Sequence, residues 1–158
     1  MTSREPSPTL GNCVTRRGTM KGREGVFANV EFSPDDALMA IILIVEDEMF
    51  IRQSAEWTIE DLGHTILLAS NLEGALLHLS GSLQIDALFV DIRLDALTFG
   101  GYDVANQAIK LQPGLRVLYT SGSCLSADMM ELFVGGGQFL QKPYSPAQLE
   151  HSIGELFH

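Results

Sequence analysis

A run of five large aliphatic residues, Ile41 to Val45, constrains the fold more than any other stretch of this 158-residue chain. Such a run has no polar face in either a helix or a strand, and its β-branched side chains favour the strand. A strand of this kind is buried on both faces, as the strands of a parallel sheet are. The sequence therefore predicts a buried parallel strand over residues 41–45.

Three carboxylates follow this strand directly, at Glu46, Asp47 and Glu48. Like charges about 4 Å apart repel each other by roughly 4 kcal/mol at an effective dielectric constant near 20. A bound divalent cation is the simplest way to offset that repulsion. The three acids thus indicate a metal site at the carboxyl end of the strand.

Strand and helix patterns alternate along the rest of the chain, and the second helix opens on a predicted capping box of Ser70 and Glu73. The alternation predicts an α/β fold in which a doubly wound, five-stranded parallel sheet carries helices on both faces. The predicted strands span residues 41–45, 65–69, 86–90, 115–120 and 138–141. The predicted helices span residues 48–62, 70–79, 102–111, 126–133 and the segment from Ser145-Pro146 almost to the C-terminus.

Composition separates the first 38 residues from the remainder. They hold three of the six prolines and no sustained apolar period. We expect an N-terminal extension over residues 1–38 that is disordered or loosely attached, and one domain over residues 39–158.

Charge and hydropathy exclude two classes of partner. Residues 41–158 carry five basic and fifteen acidic side chains, a balance that repels a phosphate backbone, so no nucleic acid is expected to bind. The longest apolar run has nine residues, which is too short to cross a membrane, and no signal segment precedes it. We therefore expect a cytoplasmic protein without a membrane partner.

Chemically useful side chains follow the predicted strands. Ligands of doubly wound sheets bind beyond the carboxyl ends of the strands. A carboxylate cluster there could hold Mg²⁺, a lysine could place a positive charge on phosphoryl oxygens, and a serine could donate a hydrogen bond. The residues at these strand ends are Glu46, Asp47, Asp91, Ser121 and Lys142.

The spacing of these residues carries a resemblance to a known family. Asp47 and Asp91 are 44 residues apart, Ser121 follows 30 residues later, and Lys142 a further 21. Over residues 41–157 the chain resembles the receiver domain of bacterial two-component response regulators. The resemblance implies a flavodoxin-like sheet with strand order 2-1-3-4-5. It also implies that Asp91 accepts a phosphoryl group from a histidine kinase or a histidine phosphotransfer protein, assisted by Ser121 and Lys142.

The predicted Mg²⁺ site uses the acidic residues at the ends of the first and third strands. Asp47, Asp91 and the backbone carbonyl of Arg93 could supply ligands to Mg²⁺, and Glu46 could reach the ion directly or through water. Asp91 could instead be an ordinary cap after a strand, and Glu46 and Asp47 could merely favour the start of the following helix.

Signalling by such a domain would involve a hydroxyl and an aromatic residue. The resemblance assigns these switch positions to Ser121 and Phe139, although plain core packing explains Phe139 equally well. It further implies a cis peptide bond at Lys142–Pro143. The surface of the fourth helix, fifth strand and fifth helix would bind a downstream protein partner, and homodimer formation on phosphorylation is left open.

Three functional hypotheses remain. The first is a stand-alone phosphoacceptor switch that is not an enzyme beyond self-catalysed transfer and autodephosphorylation. The second is a pseudo-receiver that binds partners without phosphorylation. The third is a phosphatase of the haloacid-dehalogenase type, which needs a second Asp two residues after its nucleophile; Arg93 occupies that position here, and Asp95 lies four residues on.

The loop 93–101 is longer than is usual in receivers, which affects phosphorylation kinetics and docking.

Overall fold

The computed structural model describes residues 39–95 and 100–158. Five strands of this part of the chain form one parallel sheet of order β2-β1-β3-β4-β5, which confirms the predicted fold class and strand order. The third and fourth strands lie one residue further along than predicted. The strands are β1 (Ile41–Val45), β2 (Thr65–Ala69), β3 (Ala87–Asp91), β4 (Arg116–Ser121) and β5 (Gln138–Gln141).

Helices cover both faces of the sheet. Alternate residues of β1 enter two separate core clusters: Leu43 lies in one and Ile42 in the other, so the strand is buried on both faces as predicted. α1 packs against α5 on one face, and α2 packs against α3 on the other. The helices are α1 (Met49–Asp61), α2 (Leu72–Leu79), α3 (Gly100–Leu111), α4 (Ala127–Glu131) and α5 (Pro146–Phe157).

Two helix starts differ from expectation. The prediction of a capping box at Ser70 and Glu73 is wrong. Asn71 caps α2 instead, and its side-chain oxygen accepts a 2.8 Å hydrogen bond from the backbone N–H of Gly74. α3 begins at Gly100 rather than at residue 102. A Cβ on Gly101 would overlap the carbonyl oxygen of Asp91, so glycine lets this helix begin directly against the end of β3.

α4 is shorter than predicted because a tertiary contact ends it. The helix stops at Glu131, and the hydroxyl of Tyr119 then accepts a 3.1 Å hydrogen bond from the backbone N–H of Val134. Phe133 turns inward and stacks on Tyr119 with ring centroids 4.3 Å apart. α5 begins as predicted, with a full capping box between Ser145 and Gln148.

Two expectations fall on residues that the structure does not describe. The extension 1–38 and residues 96–99 of the predicted loop 93–101 lie outside the described part of the chain. Within residues 39–95 and 100–158, no helix combines the length and the apolar character needed to span a membrane.

Candidate functional site

Strand register brings the predicted residues to one edge of the sheet. β1 pairs with β3 so that Val45 is level with Val90, which places Glu46 beside Asp91. In β4, Thr120 is level with Asp91, and Ser121 is level with Gln141 of β5. The residues that follow parallel strands therefore converge at the carboxyl ends of β1, β3, β4 and β5.

Three carboxylates form the acidic cluster of this edge: Glu46, Asp47 and Asp91. Each offers an oxygen atom, and these atoms all lie within 4.8 Å of one another. Glu46 and Asp91 are only 0% and 5% exposed, whereas Asp47 is more accessible. Buried anions this close together need positive charge or hydrogen-bond donors.

Backbone donors satisfy part of that need. The N–H of Glu48 donates to Oε1 of Glu46 at 3.1 Å, and the N–H of Arg93 donates to Oδ1 of Asp91 at 3.1 Å. The N–H of Asp95 donates more weakly to Oδ2 of Asp47, at 3.3 Å. The role of the Arg93 carbonyl as a metal ligand stays a prediction.

Lys142 supplies the positive charge. Its Nζ atom lies 2.7 Å from Oε2 of Glu46 and 2.8 Å from Oδ2 of Asp91. The peptide bond between Lys142 and Pro143 is cis, as the family resemblance implied. Burial by itself lowers the pKa of Lys142, but hydrogen bonds and charges from Asp91 and Glu46 outweigh it and raise that pKa overall. Lys142 is therefore a stable ammonium at this edge.

Burial has the largest effect on the pKa values of two groups near Lys142, Glu46 and Tyr144. It raises the pKa of Glu46 to about 7, although the hydrogen bond and charge of Lys142 act in the opposite direction. Burial also raises the pKa of Tyr144, and the charges of Glu46 and Asp91 add to this effect. The Tyr144 ring meets Phe89 edge-on, with centroids 6.0 Å apart. Tyr144 thus adds a neutral phenol beside the cluster.

Ser121 ends β4 and is buried behind the site. Its Oγ atom accepts a 3.1 Å hydrogen bond from the backbone N–H of Ser123, so the hydroxyl keeps its proton available for donation. Thr120 lies inside the strand, and its buried hydroxyl has no partner among the described residues. The site therefore contains Ser121 at the predicted position.

A cleft of about 550 Å³ opens above these groups. Asp91 lies at its wall, so the carboxylate is reachable from solvent although most of the side chain is buried. Four of the predicted site residues line the cleft, while Ser121 lies behind its wall. The lining residues are Asp47, Glu48, Asp91, Arg93, Gly122, Ser123 and Lys142.

Phe139 lies outside this cleft. The ring is half-buried on β5, packs against the core, and stacks on Phe133 with centroids 6.3 Å apart. These contacts agree with the packing interpretation of Phe139. Its role as a switch stays a prediction.

Two site contacts were not anticipated from the sequence. Nη1 of Arg52 donates to the carbonyl oxygens of Glu46 and Asp47, at 2.6 and 3.5 Å. Arg52 lies in the first turn of α1, a few residues after the three acids, and this position is the sequence feature from which the contact could have been predicted. Gln141 donates to the backbone carbonyls of Ser121, Gly122 and Lys142, and the only sequence feature that pointed to it was its position immediately before Lys142.

Comparisons with known proteins agree on one family. The family described as response regulator receiver domain matches residues 42–154. The crystal structure of a response regulator receiver protein from Sinorhizobium medicae is 26% identical, with a TM-score of 0.67, over 75% of this chain and 94% of that one. A CheY-like receiver domain protein from Methanospirillum hungatei, 24% identical with a TM-score of 0.65 over 74% of this chain and 92% of its own, shares the fold.

Two curated regulators are similar in sequence. AlgB of Pseudomonas aeruginosa, an alginate biosynthesis transcriptional regulatory protein, is 32% identical over 68% of this chain and 24% of its own length. The probable transcriptional regulator ycf27 of Guillardia theta is 30% identical over 71% of this chain and 43% of its own length. The chain thus spans less than half the length of either relative. The family match over most of the chain, on this fold and with this cluster, shows that the chain belongs to the receiver domains of two-component response regulators.

Proposed function

We propose that Asp91 accepts a phosphoryl group from a histidine kinase or a histidine phosphotransfer protein. The observation that carries the proposal is the position of the Asp91 carboxylate at the wall of the cleft, with the Lys142 ammonium 2.8 Å away. The same cleft borders Asp47, which belongs to the acidic cluster. Phosphoryl transfer depends chiefly on positioning and charge neutralisation, and this arrangement offers both.

The proposed reaction is a displacement at phosphorus. A carboxylate oxygen of Asp91 forms the new O–P bond as the P–N bond of the phosphohistidine breaks, and the electron pair leaves with the imidazole. Lys142 donates to the oxygens of the transferred group, and Ser121 contributes a hydroxyl donor once the phosphoryl group is in place. Hydrolysis of the acyl phosphate resets Asp91.

The acidic cluster fits Mg²⁺. Carboxylate oxygens are the ligands that this ion prefers, and three of them lie within 4.8 Å of one another beside a single ammonium. Glu46, Asp47 and Asp91 would hold the ion, with the Arg93 carbonyl as a further ligand. When bound, Mg²⁺ would neutralise the repulsion between the anionic donor and the Asp91 carboxylate.

The partners proposed for this domain are proteins. The segment around α4 exposes apolar side chains, with Met130 51% and Leu132 45% exposed. Such side chains favour a downstream protein partner on the surface of α4, β5 and α5, or a second copy of the chain after phosphorylation. The excess of acidic residues argues against nucleic acid, and a cytoplasmic histidine kinase pathway suits the chemistry.

Phosphoryl uptake tests the proposal. Wild type, Asp91→Asn and Asp103→Asn are incubated with acetyl phosphate and Mg²⁺, and their intact masses are measured. Asp103 lies exposed in the first turn of α3, so its variant controls for the loss of one carboxylate. We expect one added phosphoryl group on wild type and on Asp103→Asn, and none on Asp91→Asn.

Two other results would favour the alternatives. A wild-type mass that stays unchanged favours the pseudo-receiver that acts without phosphorylation. Continuous release of phosphate from a phosphomonoester, over many turnovers, favours a phosphatase of the haloacid-dehalogenase type. Either result contradicts the phosphoacceptor proposal.

A further inference from the structure

The side chain of Gln141 bridges two segments of the site. Its Nε2 atom donates to the carbonyl oxygens of Ser121 at 3.2 Å, Gly122 at 3.1 Å and Lys142 at 3.0 Å. Two of these carbonyls belong to the turn after β4, and the third belongs to the residue that carries the ammonium of the site. One amide group thus joins the backbone behind the hydroxyl donor to the backbone behind the cationic donor.

Hydrogen bonds hold the turn that Gln141 contacts, residues 121–123, and two of its three residues are exposed. A Cβ added to Gly122 would have no neighbouring heavy atom within 4 Å, so little packing restrains the turn at this residue. The backbone N–H of Ser123 donates to Oγ of Ser121, which holds the hydroxyl against the same turn. Gly122 and Ser123 also line the cleft, so a displacement of the turn would reshape the place where a phosphoryl group would lie.

The β-sheet does not require a glutamine amide at this end of β5. The sheet already joins the strands through the backbone hydrogen bond from the N–H of Lys142 to the carbonyl of Ser121, at 2.9 Å. Gln138, at the other end of β5, donates instead to the carbonyl of Glu155 in α5, at 3.4 Å. The contacts of Gln141 are therefore additional to the strand pairing and directed at the site.

We infer that Gln141 is a positioning residue, which ties the turn 121–123 to Lys142 so that both donors meet the oxygens of one phosphoryl group. The inference rests on the proposed phosphoryl transfer to Asp91. Gln141 itself touches no reacting atom, and it does not contact the acidic cluster. Its loss should slow the transfer while leaving the Mg²⁺ affinity unchanged.

Three variants test the inference. Gln141→Met keeps the length of the side chain and removes its donors, Gln141→Lys restores a donor at similar length, and Gln138→Met makes the matched change at the other end of the same strand. Hydrogen exchange of the turn 121–123 is measured without phosphoryl donor. Two quantities are then measured for phosphorylation by acetyl phosphate with Mg²⁺: the rate constant at saturating donor, and the donor concentration that gives half of that rate. Mg²⁺ affinity is measured as well.

For Gln141→Met we expect exchange of the Ser123 amide to rise about fivefold and the saturating rate constant to fall about fivefold, the factor that the loss of one net hydrogen bond represents. The half-saturating donor concentration and the Mg²⁺ affinity should match wild type. Gln141→Lys should recover most of the rate constant, and Gln138→Met should behave as wild type. Equal exchange and equal rate constants in wild type and Gln141→Met, or the same losses in Gln138→Met, would overturn the role of Gln141. A wild-type chain that takes up no phosphoryl group contradicts the proposed function itself, whatever the exchange data show.

Discussion

Lys142 and Asp91 lie 51 residues apart in the sequence, and their Nζ and Oδ2 atoms are 2.8 Å apart at the carboxyl edge of the sheet. The same ammonium contacts the buried carboxylate of Glu46. Among the described residues, the salt bridges to this cluster of three carboxylates come from Lys142, and the excess of negative charge supports the proposed binding of Mg²⁺. The charge balance of this cluster leads to the first two predictions.

Removing the ammonium of Lys142 should strengthen Mg²⁺ binding and slow phosphoryl transfer. In Lys142→Met the stem of the side chain remains but the charge that competes with Mg²⁺ is gone, so we expect Mg²⁺ to bind at least about fivefold more tightly. Phosphorylation by acetyl phosphate should slow by at least about tenfold, because a donor to the phosphoryl oxygens is lost. Calorimetric titration with Mg²⁺ and a phosphorylation time course measure the two effects.

Lys110→Met is the control for that experiment, because Lys110 is exposed in the last turn of α3, outside the site. It should leave both quantities unchanged. Weaker or unchanged Mg²⁺ binding by Lys142→Met would show that the ammonium and the ion do not share the cluster.

Asp47 should be required for stabilisation by Mg²⁺. At a concentration ten times its dissociation constant, a ligand of the folded state adds about 1.4 kcal/mol to the free energy of unfolding, or roughly 5 °C in Tm for a domain of this size. We expect this increment for wild type and for Asp103→Asn, and its loss for Asp47→Asn. Thermal unfolding with and without Mg²⁺ measures it, and an equal increment in Asp47→Asn would place the ion elsewhere.

Gln112 should be important for stability rather than for the site. This buried side chain accepts from the backbone N–H of Ile85 at 2.7 Å and donates to the carbonyls of Leu79 and Leu83, both at 3.1 Å. Gln112→Leu keeps most of the volume but leaves these backbone groups without their partner, so we expect a loss of about 2–4 kcal/mol. Urea unfolding measures it, with exposed Gln53→Leu as the control; a loss no larger than in the control would contradict this role.

His64 should make the domain less stable in mild acid. Burial lowers the pKa of His64 below its ordinary value of 6.5, and its Nδ1 atom accepts from the backbone N–H of Ala40 at 3.3 Å. The unfolded chain then binds the proton more readily, so the free energy of unfolding falls as pH drops through this range. We expect the difference between wild type and His64→Gln to decrease from about pH 8 to about pH 5 in urea unfolding. The exposed His151, replaced in the same way, should show no such trend, and a constant difference for His64 would contradict the prediction.

The sheet and the site edge were predictable because each rests on a strong local pattern. The β-branched, wholly apolar run 41–45 favours a strand buried on both faces, and the rule that ligands bind beyond parallel strands then selects Glu46, Asp91 and Lys142. The structure places these three in contact, as the pairing of β1, β3, β4 and β5 requires.

The remaining details depend on contacts that local sequence does not encode. Ser70 and Asn71 are both competent caps, and only the path of the chain after β2 decides that Asn71 is used. α4 stops early because the chain after it is held by Tyr119 of β4, whose hydroxyl accepts a hydrogen bond from the backbone N–H of Val134. Likewise, the bridge made by Gln141 follows from the rotamer that reaches the turn after β4, and no spacing rule predicts it.

The most direct test of the central claim is the chemical identity of the modified residue. Wild-type protein treated with acetyl phosphate and Mg²⁺ is reduced with borohydride, which converts an aspartyl phosphate to homoserine, and its peptides are sequenced by tandem mass spectrometry. The account predicts homoserine at position 91 and nowhere else. Unmodified Asp91 in a chain that has gained a phosphoryl group, or homoserine at Asp47, would contradict it.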